Sequence, residues 1–238
     1  MVGIGPGGPL DRTRRAEQAI KESGVIVGYT RYLELISDLT GDKRLVSSGM
    51  RQETERCRKA LEMARSGETV ALISSGDSGI YGMAGLALEL NTAENFSVPI
   101  EIVPGLTAGG AAAARMGAPL MLDYATISLS DLLVPWETIR RRLEAVAAAD
   151  LVTVLYNPKS KKRVKQLAEA VAIFAGHRPG TTPVGIGTAV GTDEEEITLT
   201  DLDHVLDQEI GMRSLLIIGN TSSKKMLNWF VTPRGYTV

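Results

Sequence analysis

Short apolar runs alternate with longer stretches of helical period along most of the chain. Val25-Ile26-Val27-Gly28-Tyr29, Thr69-Val70-Ala71-Leu72-Ile73, Leu151-Val152-Thr153-Val154-Leu155-Tyr156 and Ser214-Leu215-Leu216-Ile217-Ile218 are rich in β-branched and aliphatic residues, and they read as buried strands. Shorter pieces at Val2 to Ile4, Arg44 to Val46, Ile100 to Val103 and Pro183 to Gly187 read as further strands. A helix capped by Asp11 or Thr13 runs to Ser23, and others cover Arg31 to Leu39, Gln52 to Ala64, Met83 to Leu90, the alanine-rich stretch ending at Met116, and Pro135 to Ala149. Beyond Tyr156, Val164, Leu167, Ala168, Val171, Ala172 and Ala175 share one helical face. This order predicts an α/β chain with mainly parallel sheets covered on both faces. Glu196-Ile197-Thr198-Leu199 is polar enough for a sheet edge.

Glycine punctuates the strand ends. Gly5, Gly76 and Gly105 each follow a predicted strand, and in parallel sheets ligands bind beyond the carboxyl ends. Three loops therefore are expected to converge on one crevice, with backbone approaching the ligand where Cβ atoms are missing. The plainer alternative is ordinary strand-to-helix turns. Valine at Gly76 or Gly105 is expected to block binding and spare the fold. Gly3, Gly5 and Gly8 match a dinucleotide fingerprint in form only. Pro6 and Pro9 delay the helix, and the next strand ends in Tyr29 where an acidic residue is required. Gly117-Ala118-Pro119 ends a helix and marks the expected boundary between a domain of residues 1–117 and one of 118–238.

Bulk composition narrows the function classes. The 238 residues are 44% hydrophobic and 23% charged, with net charge −2, which gives no global case for nucleic-acid binding. No apolar run reaches the ~18 residues of a membrane helix, and the start lacks a secretory pattern, so a cytoplasmic location is expected. One cysteine and two separated histidines make no usual zinc or iron–sulfur set, and Cys57 falls on the apolar face of a helix. Lys159, Lys161, Lys162, Arg163 and Lys165 crowd a predicted helix start, which either attracts an anion or is a solvated basic face.

The motifs together resemble the precorrin-3B or cobalt-factor III C17-methyltransferase family, within the tetrapyrrole methyltransferase superfamily of corrin biosynthesis. The matching pieces are Gly3-Ile4-Gly5-Pro6-Gly7, Ser75-Gly76-Asp77-Ser78-Gly79-Ile80-Tyr81-Gly82, Val103-Pro104-Gly105-Leu106-Thr107-Ala108 and Gly117-Ala118-Pro119-Leu120. Ser128-Leu129-Ser130-Asp131 through Pro135-Trp136, Tyr156-Asn157-Pro158 and Thr232-Pro233-Arg234-Gly235-Tyr236 point to the narrower family. The chain departs from many superfamily members in carrying Ser78 after the Gly-Asp pair, where they have proline.

The resemblance implies two α/β domains that hold S-adenosylmethionine (SAM) in the cleft between them, in a homodimer. By motif, Pro6, Ser75, Gly76, Asp77, Ile80, Tyr81, Thr107 and Ala108 contact the cofactor from the first domain, and Tyr156, Asn157, Thr188 and Ala189 from the second. Methyl transfer from a sulfonium is an in-line displacement that needs alignment and a dry site, with no protein nucleophile. The family's accompanying ring contraction and lactone closure need proton transfers, for which Ser128, Ser130 and Asp131 are the expected groups. A multiply carboxylated tetrapyrrole also gives Lys159, Lys161 and Lys162 a role in substrate binding. Two other readings stand beside this one: a uroporphyrinogen, diphthine or ribosomal-RNA methyltransferase of the superfamily, and a non-catalytic nucleotide- or corrinoid-binding module.

Overall fold

A computed structural model describes residues 1–160 and 162–237, and contacts divide the chain into two compact units. The first comprises Met1–Ala108 with Gly191–Asp193, the second Gly109–Val190 with Glu194–Val238. The expected boundary at 117/118 thus differs from this division, which falls ahead of the alanine-rich helix. That helix packs with the second unit because Gly109 lies against Val154 and Tyr156, and Ala112 against Gly187.

In the first unit the elements are β1 (Val2–Gly3), α1 (Arg14–Glu22), β2 (Val25–Tyr29), α2 (Thr30–Glu34), α3 (Ser37–Thr40), β3 (Arg44–Ser48), α4 (Glu53–Arg65), β4 (Val70–Ser74) and α5 (Ala84–Ala93). The sheet order is β1-β4-β2-β3 and every pairing is parallel. Residues of β2 alternate between two cores as the strand period demands: Val25 and Val27 pack with Cys57, Ala60, Met63 and Ala87, while Ile26 packs with Ala16, Ile20, Leu33 and Ile36. Of the two expected caps for α1, Thr13 serves, its Oγ1 accepting from the Ala16 amide at 3.1 Å.

Two predictions need correction here. The single helix over Arg31 to Leu39 is broken at Leu35 and Ile36, where the chain turns and Ile36 becomes fully buried. Ile100 to Val103 is not a strand of the sheet, since Val103 alone bridges to Val2.

The second unit contains α6 (Ala108–Met116, all but its first residue), β5 (Gly117–Ala118), β6 (Tyr124–Ser128), α7 (Trp136–Ala148), β7 (Val152–Tyr156), α8 (Lys165–Ala175), β8 (Pro183–Thr188), β9 (Glu196–Asp201), β10 (Ser214–Ile218), β11 (Lys224–Met226) and β12 (Trp229–Val231). Its main sheet runs β6-β7-β10-β8-β9, parallel at β6/β7 and antiparallel at the other pairings. The α/β class holds, and the polar β9 is an edge as its sequence predicts. Short β11 and β12 form a small sheet with β5.

Buried Arg178 fastens this unit. Its guanidinium lies 4.8 Å from the Phe174 ring, donates to the carbonyls of Gly219 and Leu151, and faces Asp150 at 3.4 Å. Burial lowers its pKa and Asp150 opposes that shift.

Candidate functional site

The glycine turns of the first unit do meet. Gly5 and Gly76 form an isolated antiparallel bridge, with Gly5 N donating to the Gly76 carbonyl at 3.1 Å and Gly76 N to the Gly5 carbonyl at 2.7 Å. Asp77 ties in the third loop, because its Oδ1 accepts from Gly79 N at 2.8 Å and its Oδ2 from Gly105 N at 3.0 Å. Both carboxylate oxygens thus organise backbone.

The two glycines singled out by sequence have different jobs. A methyl group at Gly105 would overlap the Gly76 carbonyl and crowd Gly3, so this glycine lets three backbones touch and its replacement strikes the fold as well as the site. At Gly76, with φ +61°, an added Cβ would meet nothing closer than Ala108 N at 3.9 Å and Leu106 O at 4.0 Å. A Cβ at Gly76 would thus make only ordinary contacts, with the backbone of Leu106 and Ala108. Ile80 and Tyr81 are exposed beside it in sequence, Tyr81 at φ +54°, whereas Pro6, Ser75, Thr107 and Ala108 are half-buried.

Buried Arg56 steadies the far end of this loop. It donates to Ser48 Oγ and the Gly49 carbonyl, both at 2.7 Å, and lies 3.2 Å from Met83 Sδ, at the N-terminus of α5. Ser78 is fully buried and its hydroxyl has no hydrogen-bond partner among the described residues.

In the second unit the parallel register pairs Ser128 with Tyr156 at the carboxyl ends of β6 and β7. Asn157, at φ +51°, directs Nδ2 to Ser128 Oγ at 2.9 Å, and Ser130 N donates to the same oxygen at 3.2 Å. Tyr156 Oη accepts from Gly109 N at 2.8 Å, an approach that a Cβ on Gly109 would obstruct. Asp131 receives Gln166 Nε2 at 2.8 Å and faces Arg163 at 4.0 Å. Thr188 Oγ1 and Ser214 Oγ share a hydrogen bond of 2.8 Å, and the Ala189 amide donates to the Arg213 carbonyl at 3.0 Å, with Ala189 at φ +49°.

The basic cluster is placed differently from the expectation. Helix α8 begins only at Lys165, with Val164 as its N-cap, so half-buried Lys159 and exposed Lys162 belong to the preceding loop and do not oppose a helix dipole. Lys161 lies outside the described residues. In sequence Arg163 is one more cation in the run. In the fold its Nη2 donates to the Asn157 carbonyl at 2.8 Å, its amide to Ser160 Oγ at 3.0 Å, and its Nε is buried without a partner among the described residues. Arg56 was equally hidden among the charges of an amphipathic helix; only its place on the buried face, one residue before Cys57, marks it.

Known proteins share this arrangement of elements. A protein of Salmonella typhimurium named probable cobalt-factor III C(17)-methyltransferase is 44% identical over 238 residues, covering 100% of this chain and 99% of that protein. A Sinorhizobium protein named precorrin-3B C(17)-methyltransferase is 39% identical over 227 residues, covering 94% and 89%. The crystal structure of the methyltransferase CobJ superposes with a TM-score of 0.92 at 34% identity, covering 98% of both chains. Uroporphyrin-III C-methyltransferase from Thermus thermophilus, complexed with S-adenosylhomocysteine, shares the fold at a TM-score of 0.68 and 23% identity, over 92% and 90% of the two chains. The family model described as tetrapyrrole (corrin/porphyrin) methylases matches residues 1–206, and the chain belongs to that family.

Proposed function

We propose that the chain transfers a methyl group from SAM to C17 of cobalt-factor III in cobalamin biosynthesis, with ring contraction to the cobalt-precorrin-4 level. The observation that carries this reading is end-to-end similarity to the Salmonella protein of that name, at 44% identity. The glycine at 76 supports a cofactor there, because its missing Cβ leaves the main chain of the loop approachable, with only main-chain atoms at 3.9 and 4.0 Å from where a Cβ would stand. Pro6, Ser75, Gly76, Asp77, Ile80, Tyr81, Thr107 and Ala108 are proposed to contact SAM, and Tyr156, Asn157, Thr188 and Ala189 are proposed as further cofactor contacts. When bound, SAM supplies an electrophilic methyl on its sulfonium. The chain's part is to hold the glycine loops rigid through Asp77, to orient the acceptor, and to exclude water.

No helix among the described residues is long and apolar enough to cross a membrane, which supports the proposal of a cytoplasmic enzyme. A homodimer is proposed with it, and sedimentation tests that part.

The substrate is tested by incubating the chain with SAM and either cobalt-factor III or precorrin-3B and following product mass. Methylation of cobalt-factor III at the higher rate is expected. A clear preference for precorrin-3B would move the chain to the metal-free reaction named for the Sinorhizobium relative.

A further inference from the structure

We infer that Ser128 is a fixed hydrogen-bond donor to a side-chain carboxylate of the tetrapyrrole, aimed by Asn157 and braced by Arg163. The inference rests on the proposed function and assigns a direction to one group of its substrate site. A serine hydroxyl has one proton to give and two lone pairs to receive. Asn157 Nδ2 and the Ser130 amide both donate to Ser128 Oγ, at 2.9 and 3.2 Å, which fills the accepting capacity. The proton is left to point away from both donors, and Ser128 Oγ donates to no group among the described residues. Ser128 is half-buried and ends β6, and ligands of α/β sheets bind beyond the carboxyl ends of the strands.

A group held in this way cannot serve as a general base without breaking one of its two bonds. It suits an oxygen acceptor, and an anionic oxygen most strongly, because hydrogen bonds with a charged partner are about twice as strong as neutral ones. The tetrapyrrole's side-chain carboxylates are acceptors of this kind, and Lys159 and Lys162 in the loop after β7 add positive charge.

Arg163 is a positioning residue in this scheme. Its guanidinium holds the Asn157 carbonyl at 2.8 Å, in a residue whose φ of +51° L side chains rarely adopt, and so keeps the Asn157 amide turned to Ser128. Asp131, 4.0 Å from the same guanidinium and bonded to Gln166, links the loop after β6 to α8.

Equilibrium titration with cobalt-factor III, followed by its visible absorption, tests the inference without turnover. Ser128→Ala is expected to weaken binding about tenfold, the loss of one hydrogen bond to a charged group, with SAM affinity unchanged. Ser128→Thr keeps the hydroxyl and is expected to bind nearly as the parent chain does. Asn157→Asp can only accept at that side chain, so it draws the Ser128 proton inward and is expected to match Ser128→Ala, with no further loss in the double variant. Arg163→Gln is expected to weaken cobalt-factor III binding in the same titration, and Arg163→Lys to recover part of the loss. Normal binding by a folded Ser128→Ala, or additive losses with Asn157→Asp, overturns the inference and leaves the proposed function standing. A parent chain that binds no tetrapyrrole overturns both.

Discussion

The amide of Gly105 donates to Asp77 Oδ2 at 3.0 Å, so one carboxylate ties the third glycine loop to the loop after β4 while its other oxygen holds Gly79. Asparagine at position 77 keeps one acceptor and turns an NH2 group toward the other amide. Asp77→Asn is expected to cost about 1 kcal/mol in urea unfolding, because the bond from Gly105 N is partly buried and the one from Gly79 N is exposed. Calorimetry is expected to show SAM affinity falling with it. Unchanged stability and affinity would mean that the loops hold without this bracket.

Gly76 and Gly105 are expected to separate binding from folding. Gly76→Ala strains a residue at φ +61° but meets only ordinary contacts, so it is expected to fold with a loss of about 1–2 kcal/mol and to bind SAM poorly. Gly105→Ala drives a methyl into the Gly76 carbonyl and is expected to lower the melting temperature far more. Melts and SAM titrations of the two variants side by side check this, and equal destabilisation contradicts it.

Ser78 buries a hydroxyl that has no partner among the described residues. Ser78→Ala removes that group and leaves the Ser78 carbonyl's bond from Ala84 N in place, so a gain of about 1 kcal/mol is expected in the same unfolding assay. A loss of stability would show that the hydroxyl is satisfied.

Burial pushes the Cys57 thiol up to about 11 from 9.0, with Arg56 opposing the shift and Glu53 adding to it. A pKa raised by folding adds stability that is fully present below the unfolded value and is lost as pH rises through the folded one. Stability is therefore expected to fall between about pH 9 and about pH 11, and Cys57→Ala to flatten that part of the slope. Urea melts across this range are the check, and an identical slope in the variant contradicts the assignment.

Local signals made much of the first unit legible. The β-branched run at Val25 to Val27 declares a strand buried on both faces, and the glycines at 5, 76 and 105 mark where backbones meet. What was missed depends on distant partners. The break at Ile36 serves a core that the helical period does not reveal, and β11 and β12 are short strands fixed by pairing with each other and with β5. The late start of α8 was hidden because Lys159 to Arg163 continue the composition of a polar helix, and the role of Arg163 depends on the Asn157 carbonyl that the fold brings to it.

The central claim is methyl transfer to C17, and the most direct test is the position of the new methyl group. The chain is incubated with cobalt-factor III and SAM carrying an isotope-labelled methyl, and the product is assigned by nuclear magnetic resonance. A single labelled methyl at C17 of a ring-contracted product, with one equivalent of S-adenosylhomocysteine, is the predicted result. Label at another macrocycle carbon, or methylation of uroporphyrinogen in preference to cobalt-factor III, would contradict it.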